Sequence, residues 1–383
     1  MAVQYQLKMP GIVYSGEDSL EHIAEISQGH KRAAVFTDKG IFRSGLTDKP
    51  VELLKKSGLE VTLLDELPTE PTCDQAQKTV EDFRKTGADL IIAIGGGSVM
   101  DAAKLASVTA TDRYTVRDLL RNPFLAEKSV KTLMIPTTAG TGAEATPNSV
   151  VAVPEEENKV GIVNPLMIPD SVILDGNMIK KLPKKIAAAT GIDALAHALE
   201  CYTSKKANPF SNLFAMEALK LIFENLIPAC ENENAMEAKN KMLLAAFYGG
   251  VAITASGTTA VHALAYPLGG KYHIPHGVSN AMMLLPVMRF NEKECIQEFG
   301  KIHDSMGEDT RRTPEEKGKW LLRKLEYFIK ELEIPSDLKE FGVGREDLTE
   351  LVAAGMDVQR LLVNNKRMVT EEDARRLYLE IMP

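Results

Sequence analysis

The second half of the chain concentrates residues able to hold a metal ion. Asp193 and His197 stand four residues apart in a run that is otherwise chiefly apolar (Ala194, Leu195, Ala196, Ala198, Leu199). On a helix this spacing sets a carboxylate and an imidazole on one face, about 5–6 Å apart at Cβ, where they can share one ion. An unpaired aspartate on a buried face is costly, so a partner for Asp193 is expected. Only seven histidines exist, and three more of them, His262, His273 and His276, fall between Val261 and Gly277. His262 lies on an apolar segment read as a helix that Pro267 ends, and His276 follows a Pro-bounded loop that could fold back towards it. Asp193, His197, His262 and His276 together would form a shell of one carboxylate and three imidazoles with room for a substrate oxygen. Fe(II), Zn, Co and Mn all accept such donors, and the sequence does not choose among them. For any one histidine the alternative is a hydrogen-bonded core residue. For all four groups together that alternative is much weaker, and spacing alone does not decide between the two.

The first half offers loops suited to phosphate. The strand-like run Asp89–Ile94 leads into Gly95-Gly96-Gly97-Ser98 and then a helix read from Val99. Backbone N–H groups of such a loop can approach a phosphate closely, helped by the helix dipole. Ser98 with Asp101 also fits a capping box that needs no ligand. A second loop, Thr137-Thr138-Ala139-Gly140-Thr141-Gly142, follows the strand-like Thr132–Pro136 and precedes a segment read as helical, Ala143-Glu144-Ala145. Asp38, just past the strand Ala33–Phe36, can bind an adenosine ribose and repel a 2′-phosphate, or can cap the next short helix.

The elements that must position these residues differ between the two halves. Lys31–Thr37, Glu60–Leu64, Asp89–Ile94 and Thr132–Pro136 read as strands, separated by helical spacing at Val51–Ser57 and Gln75–Lys85. Alternation of this kind predicts a doubly wound, mostly parallel α/β sheet, the fold of a dinucleotide-binding domain. From Lys185 onward long helical periodicities dominate (187–202, 209–225, 235–256, 315–331). The expected division is therefore an α/β domain over 1–183 and an all-α domain over 184–383.

The 383 residues suit two cores, and 44% hydrophobic with 26% charged residues is a globular balance. A net charge of -8 lacks the basic footprint of a nucleic-acid binder. Met1–Pro10 has no apolar core of a signal peptide, and no run reaches the roughly 18 apolar residues of a membrane span. Cys73, Cys201, Cys230 and Cys295 form no C-x-x-C pair, which suits a reducing, cytoplasmic setting.

The segments GGGSVMDAAK (95–104), PTTAGTGAEAT (136–146), ATGIDALAHALE (189–200) and PHG (275–277) occur in an order that resembles the iron-containing (group III) alcohol dehydrogenases. That group lies within the dehydroquinate synthase-like superfamily, and the likeness runs on to Val363–Asp373. The resemblance implies an active site in a cleft between the two domains, with the metal, Fe(II) first, on Asp193, His197, His262 and His276. It implies NAD pyrophosphate on Gly96, Gly97 and Ser98, further cofactor contacts on Thr137, Thr138 and Lys159, and NAD preference at Asp38. It also implies a homo-oligomer, a dimer or larger. Two departures stand out. Tyr266 replaces a histidine often proposed to assist proton transfer, leaving that role to Tyr266, His273 or water. Glu70 stands where several relatives carry a cofactor-contacting asparagine. Lys271 and His273 could meet a polar or anionic substrate.

The expected reaction is hydride transfer between NAD(H) and a small primary alcohol or aldehyde of short-chain alcohol, diol or lactaldehyde type. The alternative on the same scaffold is a hydroxyacid–oxoacid transhydrogenase or another dehydroquinate synthase-like reaction. A non-catalytic nucleotide binder would have no reason to keep four costly ligands on apolar segments.

Overall fold

In the computed structural model, which describes residues 4–156 and 158–383, the apolar runs of the first half become strands of one parallel sheet. They are β1 (Ile12–Ser15), β2 (Arg32–Phe36), β3 (Glu60–Leu64), β4 (Leu90–Gly95), β5 (Lys131–Pro136) and, after a separate hairpin of β6 (Asn148–Val153) with β7 (Asn158–Val163), β8 (Ser171–Leu174). Their order is β1-β8-β5-β4-β2-β3, and every pairing is parallel. β4 is buried at every position, as a strand covered on both faces must be. β2 carries β3 on one side and β4 on the other, so sheet growth reverses there. Doubly wound sheets bind ligands beyond the C-terminal ends of strands at such a reversal.

The helices joining these strands are α1 (Ile23–Ile26), α2 (Lys39–Arg43), α3 (Asp48–Lys56), α4 (Cys73–Thr86), α5 (Gly97–Val108) and α6 (Val116–Arg121). α4 shows how local sequence sets one of them. Thr72 and Gln75 form a capping box, Cys73, Ala76, Val80 and Phe83 bury one face, and Gly87 in the left-handed region ends it. Two expectations fail in this region. Ser98 is the second residue of α5 rather than its cap, because the helix starts two residues earlier than Val99 and Gly96 takes the cap position. Ala143–Ala145 form turns leading to the antiparallel hairpin, because Gly142 turns the chain at φ 61 and Pro147 follows.

The chain packs as two units. One comprises Lys8–Leu182 with Glu233–Gly250; the other is chiefly Pro183–Asn232 with Val251–Pro383. The stretch Glu233–Gly250, read from sequence as part of the helical half, packs with the sheet, and there Asn240 Oδ1 accepts from Gly176 N at 2.7 Å. The second unit is helical: α7 (Lys184–Thr203), α8 (Pro209–Glu231), the end of α9 (Met236–Ser256), α10 (Ala260–Tyr272), α11 (His276–Asn291) and further helices to the C-terminus. α7 is buried almost all round from Ala188 to Thr203, the mark of a central helix. Pro267, expected from its type to end α10, lies inside it. Its ring forfeits one backbone hydrogen bond, but burial of Pro267, Leu268 and Gly269 holds the helix together through Tyr272. Among the described residues no single helix is long and apolar enough to cross a membrane.

Candidate metal centre and phosphate cradle

Helical spacing puts Asp193, His197 and Glu200 on one face of α7, and α10 brings His262 against them. His276 is the first residue of α11. Its neighbour Gly277 lets that helix end lie on α7, since a Cβ there would stand 2.8 Å from the Ala189 carbonyl oxygen. Three imidazoles thus ring one carboxylate oxygen. Asp193 Oδ1 lies 3.6 Å from His262 Nε2, 3.8 Å from His197 Nε2 and 3.9 Å from His276 Nε2. The Nε2 atoms of His197 and His262 are 2.8 Å apart. Ligand atoms of Asp193, His262 and His276 all lie within 4.8 Å of one another.

Electrostatics fit a cation at this point. Burial alone would raise the Asp193 carboxyl, but His197, His276 and His262 outweigh it and hold the group far below the usual carboxylate range. Burial also opposes charge on His262, yet Glu200 and then Asp193 raise its pKa above the ordinary imidazole value. The cluster therefore favours positive charge in a dry place, and one oxygen with three nitrogen donors is a set that divalent Fe, Zn, Mn or Co accepts. Fully buried beside the cluster, Asn280 Nδ2 donates to Asp193 Oδ1 at 2.7 Å while its own Oδ1 has no partner.

Spacing alone does not assign Glu200, yet it is fully buried and its carboxylate takes the His262 Nδ1 hydrogen bond. The signal was present: an acidic residue seven positions after Asp193 on an apolar helix carries the same burial cost that singled out Asp193. Tyr266 is half-buried one turn after His262, its ring centroid 6.1 Å from that of His276 and 5.7 Å from the Arg360 guanidinium. His273 is exposed in the left-handed region at the end of α10. Lys271 is committed to an ion pair with Glu350.

In the sheet unit Asp38, Gly96, Gly97, Ser98, Thr137 and Thr138 of the expected cofactor residues follow the C-terminal ends of β2, β4 and β5, whereas Lys159 lies on the separate hairpin. Gly96 caps α5 without any side-chain bond to that helix end, and Gly97 and Ser98 form its first turn. A Cβ on Gly96 would meet Thr138 Oγ1 only at 3.6 Å, so the backbone is open on that side. Thr37 Oγ1 after β2 and Thr137 Oγ1 after β5 are buried without partners. An uncapped helix end beside orphaned hydroxyls suits a phosphate-bearing ligand. Asp38 caps α2, its Oδ1 accepting from Ile41 N at 2.9 Å. Lys159 on β7 pairs with Glu70 at 2.7 Å, and Glu70 N donates to Ser98 Oγ at 3.2 Å.

Behind this cradle Lys104 is fully buried, donating to Asn148 O at 2.8 Å and Thr146 Oγ1 at 3.1 Å, with Asp101 Oδ1 at 3.4 Å. Glu144 lies buried with Oε1 unpaired, and burial pushes its carboxyl up to about 7, its own backbone N–H and Lys104 only partly opposing. The folded state thus keeps a proton that the unfolded state releases near 4.5. Stability from this group is present below about 4.5 and falls as pH rises to about 7, by ~3 kcal/mol at about 1.4 kcal/mol per unit. Glu144→Gln is expected to remove that decline, read as the difference in unfolding free energy between pH 5 and 8 in variant and wild type.

The family model described as iron-containing alcohol dehydrogenase matches residues 10–176, and that of the C-terminal region of the Fe-containing alcohol dehydrogenase family matches 187–382. Long-chain-alcohol dehydrogenase 1 of Geobacillus thermodenitrificans is 33% identical over 97% of this chain and 95% of its own length. NADPH-dependent butanol dehydrogenase of Clostridium saccharobutylicum is 30% identical over 97% and 96%. The crystal structure of a 1,3-propanediol oxidoreductase superposes with a TM-score of 0.93 at 29% identity, covering 99% of this chain and 100% of that one.

Proposed function

The chain belongs to the iron-containing alcohol dehydrogenase family, and from that membership we propose that it moves hydride between NAD(H) and a small primary alcohol or aldehyde with the help of a divalent metal. The convergence of three imidazole Nε2 atoms on Asp193 Oδ1 carries this reading. Asp193, His197, His262 and His276 would hold the ion, Fe(II) by family likeness, with Zn, Mn or Co acceptable to the same donors. Bound there, it would supply Lewis-acid polarisation of a substrate oxygen, while the nicotinamide supplies the redox chemistry.

The chain's own groups bind and orient. Gly96, Gly97 and Ser98 at the start of α5 would take the pyrophosphate, with Thr137, Thr138 and Lys159 as further cofactor contacts. Asp38 puts a negative charge at the end of β2, where it disfavours a 2′-phosphate; we therefore assign NAD, although one relative is NADPH-dependent by name. Tyr266 Oη is the group we assign to carry the substrate hydroxyl proton towards solvent, with His273 as the alternative. A division of labour between a cofactor-binding part over 1–183 and a metal-binding part over 184–383, a cytoplasmic setting and a homodimer or larger assembly complete the proposal.

The test is NADH absorbance at alkaline pH with a panel of small alcohols and diols, on protein stripped by chelator and refilled singly with Fe(II), Zn(II), Mn(II) or Co(II). Turnover restored by at least one ion is the expected result. No NADH with any ion and alcohol, in protein that binds NAD, would count against it and favour the transhydrogenase reaction.

A further inference from the structure

We infer that Glu200 is a positioning residue that fixes both the helix carrying His262 and the tautomer of its ring, so that Nε2 is left bare for the ion. The inference rests on the metal reading above. It starts from how the two oxygens of one fully buried carboxylate are used. Oε1 accepts from Thr259 N at 2.9 Å, Thr259 Oγ1 at 2.8 Å and Val261 N at 2.8 Å, with His262 N at 3.4 Å. These are the orphan amides at the start of α10, a helix whose cap residue Thr259 makes no capping bond with its own side chain. A carboxylate from α7 does that work from outside, and it suits the positive end of the α10 dipole. Oε2 accepts from His262 Nδ1.

The consequence is geometric. Asp193 and His197 share α7 with Glu200, so tying the first turn of α10 to Glu200 sets the offset between His262 and two of its fellow ligands. A carboxylate can only accept, so Nδ1 must carry the hydrogen, and in the neutral ring Nε2 then offers its lone pair. Nε2 is the atom that faces His197 and Asp193. Partners of this kind typically contribute a factor of about 10–100 in metal affinity.

Glu200→Gln separates the two duties. The Oε1 position is surrounded by donors, so the amide oxygen must go there and the cap survives. The amide NH₂ then faces Nδ1, which must become an acceptor and drive the hydrogen onto Nε2. Co(II) affinity of the chelator-stripped chain, by competition with a chromophoric chelator, is expected to fall about 10–100-fold. The Co(II) visible absorption should change in shape, and thermal unfolding of the metal-free protein should move little.

Equal Co(II) affinity and an identical spectrum in wild type and E200Q would overturn the inference. A wild type that takes up no Co(II) would overturn the metal reading and this inference with it, so the two failures are distinguishable. Should E200Q not fold, wild type labelled with ¹⁵N-histidine and loaded with Zn(II) answers the question by NMR. His262 protonated at Nδ1 is the expected result, and protonation at Nε2 contradicts it.

Discussion

Asp193→Asn is expected to strip the protein of its metal and to lower kcat/KM by about a thousandfold or more, while the helical unit stays folded. Asp193 Oδ1 is the point on which His197, His262 and His276 converge, and Asn280 supports it from the fourth side at 2.7 Å. Asparagine keeps the shape, and Asn280 Nδ2 would hold its amide oxygen at the Oδ1 position, but the charge is gone and a neutral amide oxygen is a much weaker ligand than a carboxylate. Three neutral imidazoles would then face a dication with no carboxylate among the ligands and only Glu200 behind His262, in a largely buried site where charge counts most. Lewis-acid stabilisation of several kcal/mol would be lost with the ion, and ~4 kcal/mol corresponds to about three orders of magnitude in rate. Metal content after gel filtration and turnover in the NADH assay read the two effects separately. Wild-type metal content with a wild-type rate would end the assignment of Asp193 as a ligand. The loss should exceed that of E200Q, because one variant takes the charge from a ligand and the other only disorients one.

The contrast between Asp193 and Glu200 shows what the sequence carries and what it does not. Asp193 and His197 were legible because helix periodicity fixes their mutual position wherever the helix goes. His276 was legible only as a histidine near the right place. Its approach depends on the turn at His273 and on Gly277 letting backbone lie on backbone, neither of which spacing measures. Glu200 was passed over because its partners lie some sixty residues away, on amides that become orphans only once α10 exists.

The same division holds for the fold. β3 spans Glu60–Leu64 as read; β4 and β5 lie within a residue of expectation, because continuous apolar runs bounded by turns leave few alternatives. Pro267 misled because a local rule about one N–H was overridden by burial of the turn beyond it. The Ala143–Ala145 turn misled because its conformation is dictated by where Gly142 meets α9, a contact more than a hundred residues long in sequence.

That contact carries the second large effect. Gly250→Ala is expected to destabilise the sheet unit by about 3 kcal/mol or more, reversing the sign such a change normally has inside a helix. In an open helical position, alanine for glycine gains roughly 0.5–1 kcal/mol through lower backbone entropy and better propensity. Gly300, in the helix Ile296–Ser305, is such a position: its added Cβ would meet only Lys317 Cδ, at 3.7 Å. At Gly250 the added carbon overlaps the Gly142 carbonyl oxygen and sits 3.0 Å from the carbonyl carbon. Gly142 in turn holds φ 61, with its own Cβ position 2.7 Å from Ala246 O and from Gly250 Cα. Both sides are backbone, so no rotamer change relieves the overlap and the loop or α9 must move. Gly142 ends the segment that begins at Thr137 and Thr138, so the displacement should also weaken NAD binding although Gly250 is not among the proposed cofactor contacts. Urea midpoints for G250A and G300A, compared at unchanged m-value, should move in opposite directions, and NAD titration should show weaker binding for G250A alone. If G250A proves as stable as wild type, the close approach of Gly142 and α9 does not exist in solution, and the loop bearing Thr137 and Thr138 is held in some other way.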